Sequence, residues 1–386
     1  MEHRFFYGPL CHAPLLCAVL GRAVDVEPAV LDGYAVFWVE GQDFPAIKAD
    51  AQAQVPGVLL RGVTAQDRTA LDFYQSDFGN ETREMPREMP VRAESGDARA
   101  MVYFPATQVL RSGAPWVLAD WVARWGAIAE ATARDVMALR GQRLATEVAA
   151  RRGPMLVRGA SRVRATQATP AVLRRRAGPD DLRLAAVRQS YANFFAVEEY
   201  DLAYRSFDGG FGPEVTRAVF VSGDAVTVLP YDPLRDRVLL VEQFRIGAMA
   251  RGDGQPWLLE AIAGRVDPGE SPQEAARREA LEEAGLQLGA LLEVANYYPS
   301  PGAKTEFLYS YVALCDLPDT AAGTFGLAAE AEDIRGHLVG FDDLMALVAS
   351  GEVANAPLVL TAFWLRHERA CLRAAAGGQP PDPRDI

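Results

Sequence analysis

Three glutamates at three- and four-residue spacing, Glu279, Glu282 and Glu283, give this sequence its clearest chemistry. They close the stretch "GRVDPGESPQEAARREALEEAGL", residues 264–286, which also carries Asp267, Glu270 and Glu274. On a helix the three share one face. Like charges so placed repel by roughly a few tenths of a kcal/mol per pair, and Arg278 can pair with only some of them. Charge alone suits a solvated, Glu-rich helix. It also suits a site for a hard divalent cation, because Mg²⁺ takes carboxylate oxygens together with waters and substrate phosphate.

The elements that must hold these residues have clear local signals. Ser271 is an N-cap, Pro272 fits the first helical position, and Glu274 completes a capping box. Gly285 fits the stop. These predict a helix over 272–284, with Ala275, Ala276 and Leu281 on the face opposite the glutamates. Ahead of it, "AVTVLPYDPLRDRVLLVEQFRIG" reads as a hairpin through an Asp-Pro turn, and "WLLEAIAG" as one further strand. Behind it, "FLYSYVALC" and "IRGHLVGF" read as strands, while "FDDLMALVASG" and "NAPLVLTAFWLRHERACLRAA" have helical periodicity. This half is mixed α/β with a helix set between strands.

The spacing also fits a longer pattern, Gly-x5-Glu-x7-Arg-Glu-U-x-Glu-Glu-x-Gly-U with U aliphatic. It is met at Gly264, Glu270, Arg278, Glu279, Ala280, Glu282, Glu283, Gly285 and Leu286. The stretch resembles the Nudix box. That resemblance implies an α/β/α sandwich with a mixed sheet, and hydrolysis of a nucleoside diphosphate linked to another group. It implies Glu279 and Glu283 as the main Mg²⁺ ligands (Mn²⁺ as a substitute), assisted by Glu282. Glu270, held by Arg278, would brace the loop or share a metal, and the Ala263 carbonyl would be a further ligand.

Beyond the box, residues 187–375 resemble the ADP-ribose pyrophosphatase branch, including its tellurite-resistance relatives. Pro301 in "YYPSPGAKTE" stands sixteen residues past Gly285, where a Pro resembles the marker of that branch. An ordinary Ser-Pro-Gly turn reads the same way. Arg245 in "VEQFRIG" would contact phosphate or ribose. The loop "AEAEDIRGHLVGF" would supply the general base or a third metal ligand, Glu332 first and Glu330 second. "NFFAVEEYDLAYRSFDGGFGPEVTRAVF" resembles an amino-terminal sheet that helps build the partner's site in a swapped homodimer. There Phe194 and Arg217 would sandwich adenine, and Glu306 would lie near the shared substrate. The implied reaction cleaves ADP-ribose to AMP and ribose 5-phosphate. Other nucleoside diphosphate sugars, dinucleotides, or a non-catalytic ADP-ribose sensor are the rival expectations.

The amino-terminal half reads differently. "FFYGPL", "AVLDGYAVFWVE", "PGVLLRGVT" and "ARAMVYFP" read as short strands, "TAQDRTALDFYQ" as a helix, and the Pro-bearing duplication "REMPREMP" (83–90) as a loop. "FFYGPL" resembles the Tyr-Gly-x-Leu turn of gamma-glutamylcyclotransferase-like β-barrel domains, in which backbone N–H groups hold a carboxylate. That family carries a catalytic Glu after Leu-Asp-x-Tyr/Phe; here "LDFYQSDF" puts Gln75 there. An amide cannot take up and return a proton, so the expectation is a domain that is not a cyclotransferase, with Asp77 and Glu81 as the substitutes to consider. The expected organisation is this domain over 1–110, a helical connector and linker over 111–183, and the Nudix domain over 184–386.

Bulk properties narrow the partners. The chain has 386 residues, 49% of them hydrophobic, and a formal net charge of −12. That balance opposes a nucleic-acid footprint and leaves a small-molecule substrate as the expected partner. Cys11, Cys17, Cys315 and Cys371 lack zinc or disulfide spacing. The apolar start is broken by Gly8, Pro9, His12 and Pro14 and does not read as a signal peptide. No run is long enough to span a membrane. The expected location is the cytoplasm.

Overall fold

The computed structural model describes residues 2–75, 85–105, 111–326 and 332–377. The chain divides into two compact units, Met1–Arg175 and Arg176–Ile386. In the first, strands β1 (Glu2–Phe6), β2 (Glu27–Val39), β3 (Pro45–Val63), β4 (Met85–Ala93) and β5 (Ala98–Phe104) pair in the order β3-β1-β5-β4-β2, and β2 pairs back onto β3. The sheet thus closes into a five-stranded barrel, with β6 (Ser112–Pro115) added on β2. Strand alternation sorts the side chains. Phe5, Tyr7, Leu31, Val55 and Val102 share one core, while Phe6, Leu60 and Tyr103 pack with Leu15, Leu16 and Leu71 from the helices.

The helices of this unit are α1 (Ala13–Leu20), α2 (Ala65–Gln75), α3 (Leu118–Trp121), α4 (Ala127–Ala138), α5 (Ala145–Ala149) and α6 (Arg152–Ala165). Two sequence expectations change here. The duplication read as a loop contributes to strand β4, which pairs with β5 along its length. Against β2 it pairs only at Arg92 and Ala93. Pro86 and Pro90 stand opposite Tyr103 and Arg99 of β5, outside the short pairing with β2. Residues 153–165, inside the expected connector and linker over 111–183, form most of α6, which packs on α4. Gly159 permits this: a Cβ there would stand 2.3 Å from the Thr132 hydroxyl and 3.0 Å from the Ile128 carbonyl. Trp121, Ala129 and Ala133, from the expected connector, join the core of the first unit.

The second unit opens with β7 (Leu182–Ala192), β8 (Ala196–Tyr204) and β9 (Val215–Val221), an antiparallel three-stranded sheet. Its larger sheet contains β10 (Ala225–Asp232), β11 (Arg237–Phe244), β12 (Trp257–Glu260), β13 (Ile262–Arg265), β14 (Leu291–Tyr297), β15 (Leu308–Leu314), β16 (Thr324–Phe325) and β17 (Ile334–Gly340). The order is β14-β15-β10-β11-β17-β16, mixed because β10 runs parallel to β15. The helices are α7 (Ile246–Arg251), α8 (Pro272–Ala284), α9 (Phe341–Ser350) and α10 (Ala356–Gly377). The α8 alanines Ala275, Ala276 and Ala280 cover one face of the sheet, with Val226, Leu239 and Val241. Phe341 and Leu344 of α9 and Leu358 of α10 cover the other, with Leu229 and Leu240. This is an α/β/α sandwich.

Strands β10 and β11 pair only at their hairpin base, Tyr231 with Val238 and Asp232 with Arg237. Beyond it they part: β13 adds to β10 and β12 to β11. The segment read as one strand therefore divides at Ala261. Among the described residues no helix is long and apolar enough to cross a membrane.

Candidate functional site

The site is built where α8 lies on β13. Ser271 caps the helix, its hydroxyl accepting the Glu274 N–H at 3.2 Å while the Glu274 carboxylate accepts the Ser271 N–H at 2.7 Å. Gly285, at φ 62°, ends it in the left-handed region that glycine adopts without strain. These caps fix the register of the glutamates. Glu283 falls inside the buried stripe and is only 3% exposed; the Ala263 N–H donates to it at 3.1 Å. Leu281, expected on the buried face, is 58% exposed, because the stripe runs through Ala276, Ala280, Glu283 and Ala284 instead.

Glu279 lies against Gly264 of β13. A Cβ at Gly264 would meet the Glu279 carboxyl carbon at 1.9 Å, so only glycine leaves room for that carboxylate. Arg278 gathers the rest. Its guanidinium donates to Glu270 at 2.8 Å, Glu279 at 2.7 Å, Glu282 at 3.0 Å and the Arg265 carbonyl at 3.0 Å. Glu270 also accepts the Asp267 N–H at 2.7 Å, which ties the loop before α8.

Burial pushes the Glu279 carboxyl up to about 7, against the pull of Arg278, with Glu282 and Glu332 adding repulsion. Burial pushes Glu283 up to about 8; the Ala263 N–H opposes this, while Glu279 and Glu332 reinforce it. Desolvated carboxylates that repel one another are hard oxygen donors short of positive charge. That donor set, with the glycine cradle at Gly264, fits a divalent cation such as Mg²⁺. Among the described residues, no three His, Cys, Asp or Glu side chains converge as a preformed cluster. Glu279 is turned to Arg278 and Glu283 to a backbone N–H, so a cation has to draw them from these partners.

The remaining residues named from the sequence surround this centre unevenly. Glu332 is close enough for its charge to act on both Glu279 and Glu283. Glu330 lies outside the described residues. Arg245, just past β11, is held by Glu260 at 2.5 and 2.6 Å, and Glu260 accepts in turn from Asn355 at 2.6 Å. Pro301 is exposed in the β14–β15 connection. Glu306 is half-buried and meets Lys304 at 3.5 Å. Phe194 is covered by the Arg265 guanidinium, 3.7 Å from its ring centre.

Within one chain Phe194 and Arg217 are not brought together. Arg217 stands opposite Tyr200, four residues along β8 from the Ala196–Val221 pair beside the turn that carries Phe194. At about 3.3 Å per residue that is roughly 13 Å. Glu260, Asn355 and Arg265 escaped the sequence reading. Glu260 matters through the β11–β12 pairing, Asn355 through its side-chain bond to Glu260 from just before α10, and Arg265 occupies a position the box leaves open.

Comparison with known proteins bears on this geometry. Residues 221–360 match the family model described as "NUDIX domain". The chain is 39% identical over 196 residues to the ADP-ribose pyrophosphatase of Escherichia coli, covering 51% of this chain and 93% of that protein. The chain belongs to the Nudix family. A Nudix relative from Haemophilus influenzae, also an ADP-ribose pyrophosphatase, is 36% identical over 195 residues, 50% of this chain and 89% of that one. A GDP-mannose pyrophosphatase of Yersinia pestis is 33% identical over 168 residues, 44% of this chain and 83% of that one. The second unit is thus a Nudix pyrophosphohydrolase.

The Nudix unit is joined to a different domain. Residues 4–123 match the family model described as "Gamma-glutamyl cyclotransferase, AIG2-like". Its barrel carries a pocket lined by Tyr7, Gly8, Phe44, Tyr74, Gln75 and Tyr103 among others. The Tyr7 hydroxyl donates to the Tyr103 carbonyl at 2.9 Å. Gln75 thus stands at the pocket; Asp77 and Glu81 lie outside the described residues.

Proposed function

We propose that the Nudix unit hydrolyses the pyrophosphate of ADP-ribose, adding water to give AMP and ribose 5-phosphate. The observation that carries this is the pair of carboxylates, Glu283 buried and Glu279 mostly so, set by a complete box in a chain so similar to ADP-ribose pyrophosphatases. Glu279, Glu283 and the Ala263 carbonyl would hold Mg²⁺, or Mn²⁺ in its place, with Glu282 assisting. When bound, the cation offsets the pyrophosphate charge and lowers the pKa of the attacking water. Glu270 and Arg278 keep the loop and the helix in register. Arg245, steadied by Glu260, faces the phosphates. Glu332 takes the proton of the attacking water, with Glu330 as the other carboxylate for that role.

A direct assay tests this. With Mg²⁺ the purified protein releases AMP from ADP-ribose, and Glu283→Gln lowers kcat by on the order of a hundredfold or more. Unchanged turnover in that variant sinks the metal assignment. The Yersinia pestis relative supports a second reading, GDP-mannose; a kcat/KM favouring it over ADP-ribose would replace the first. Binding of ADP-ribose with no hydrolysis would instead mark a sensor. The tellurite-resistance relationship belongs to the same reading and adds no chemistry of its own.

We further infer a cytoplasmic homodimer formed through the Nudix unit, with Phe194 of one copy and Arg217 of the other against adenine. Their separation within one chain supports this, as does an apolar face on the small sheet. Bulges in β7 keep Leu182, Leu184 and Val187 on one face, opposite Tyr204, Leu202 and Tyr200. Leu182, Leu184, Val187 and Tyr204 are each about half exposed. The gamma-glutamylcyclotransferase-like domain, expected over 1–110, is read as a ligand-binding or structural module, since Gln75 cannot exchange a proton. Release of 5-oxoproline from a gamma-glutamyl dipeptide, abolished by Tyr7→Phe or Gly8→Ala, would overturn that.

A further inference from the structure

Strand β11 places leucine, valine and then glutamine on the sheet face beneath α8. Leu239 and Val241 are fully buried in the core that α8 covers. Gln243, two residues on, shares their face by the period of the strand and is 7% exposed. Its carboxamide nitrogen is buried and has no hydrogen-bond partner. A polar group stripped of water without replacement is unfavourable, and leucine or methionine would fill this position without that cost. Two residues further along, on the same side, stands Arg245, whose charge reaches Glu283. The orphaned donor therefore follows the α8-covered residues Leu239 and Val241 on one strand face and precedes Arg245 by two residues.

We propose that Gln243 is a substrate-binding residue whose carboxamide N–H donates to a non-bridging oxygen of the substrate's pyrophosphate. Glu283 accepts from the Ala263 N–H, Glu279 from Arg278, and Glu260 from Arg245 and Asn355, so these carboxylates have donors of their own. The Gln243 carboxamide N–H has no acceptor among the described residues, and a pyrophosphate offers several. A neutral donor also adds no charge beside Arg245, so it fixes the direction of the phosphates without tightening hold on every anion. This assignment rests on the reading of the cleft as a nucleoside diphosphate site, but not on which sugar is attached.

The test is calorimetric binding of ADP with Mg²⁺, and of adenosine, to full-length wild type, Gln243→Met and Gln243→Glu. Methionine keeps the volume and removes the donor. The Met variant is expected to bind ADP roughly ten- to a hundredfold more weakly, the range for one hydrogen bond to a charged group. Its adenosine affinity is unchanged, and its melting temperature is equal to or above that of wild type. The Glu variant weakens ADP further by repulsion. Unaltered ADP binding in the Met variant overturns the proposal. So does a wild type that binds no ADP, or a Met variant that loses ADP and adenosine equally with a fall in melting temperature. Should wild type prefer another nucleoside diphosphate sugar while the Met variant still loses ADP, the ADP-ribose reading fails and Gln243 keeps its role.

Discussion

At Glu283 burial and charge oppose each other. Its carboxyl is raised to about 8 and that of Glu279 to about 7, both chiefly by desolvation. An acid raised above its unfolded value holds its proton more tightly in the fold. The metal-free fold therefore loses stability as pH climbs from the ordinary carboxylate range through these values. A cation needs both groups deprotonated, so its binding strengthens over the same range. The rise in melting temperature on adding Mg²⁺ is expected to be larger at about pH 8.5 than at about pH 6. A gain independent of pH, or one retained in full by Glu283→Gln, would contradict it. The grouping of the carboxylates was legible at this scale, because spacing alone put Glu279, Glu282 and Glu283 on one face. Their inequality was not: Glu283 is buried and Glu282 half-exposed, and that depends on how α8 meets β13.

Among the elements, α8 was readable because its caps are local. Ser271, Pro272, Glu274 and Gly285 act within a turn of themselves. The duplication at 83–90 and the segment from 153 were misread for the opposite reason. Pro86 and Pro90 lie in β4 where that strand pairs with β5 and not with β2, and prolines are tolerated in strands with an unpaired edge. Gly159, a breaker by propensity, is required by the closeness of α4. Gly159→Ala is accordingly expected to destabilise the first unit by about 1–3 kcal/mol, as overpacking does, despite its better helix propensity. Urea unfolding measures this; a stabilised variant would show that propensity outweighs the contact with Thr132 and Ile128.

For the whole molecule, the proposed homodimer places the apolar face of the three-stranded sheet at its interface. Replacing Leu184 with Asp puts a charge in the middle of that face. Light scattering is expected to show the variant as a monomer with an unchanged far-ultraviolet spectrum, and its KM for ADP-ribose to rise as the shared adenine contacts are lost. A wild-type monomer, or a Leu184→Asp dimer, rules out this face as the interface.

The sequence by itself determined the box, the capped helix that displays it, two unlike halves, and the loss of an acid at Gln75. Each follows from residue type and short-range spacing. Only the tertiary structure decided that Glu283 lies buried against the Ala263 N–H. The same holds for Arg245 resting on Glu260 and Asn355, Arg265 covering Phe194, and the unpartnered Gln243 carboxamide on the face of Glu283. Those contacts depend on which strands pair, in which register and with which face toward α8, and they join residues far apart in the chain, so no local pattern encodes them.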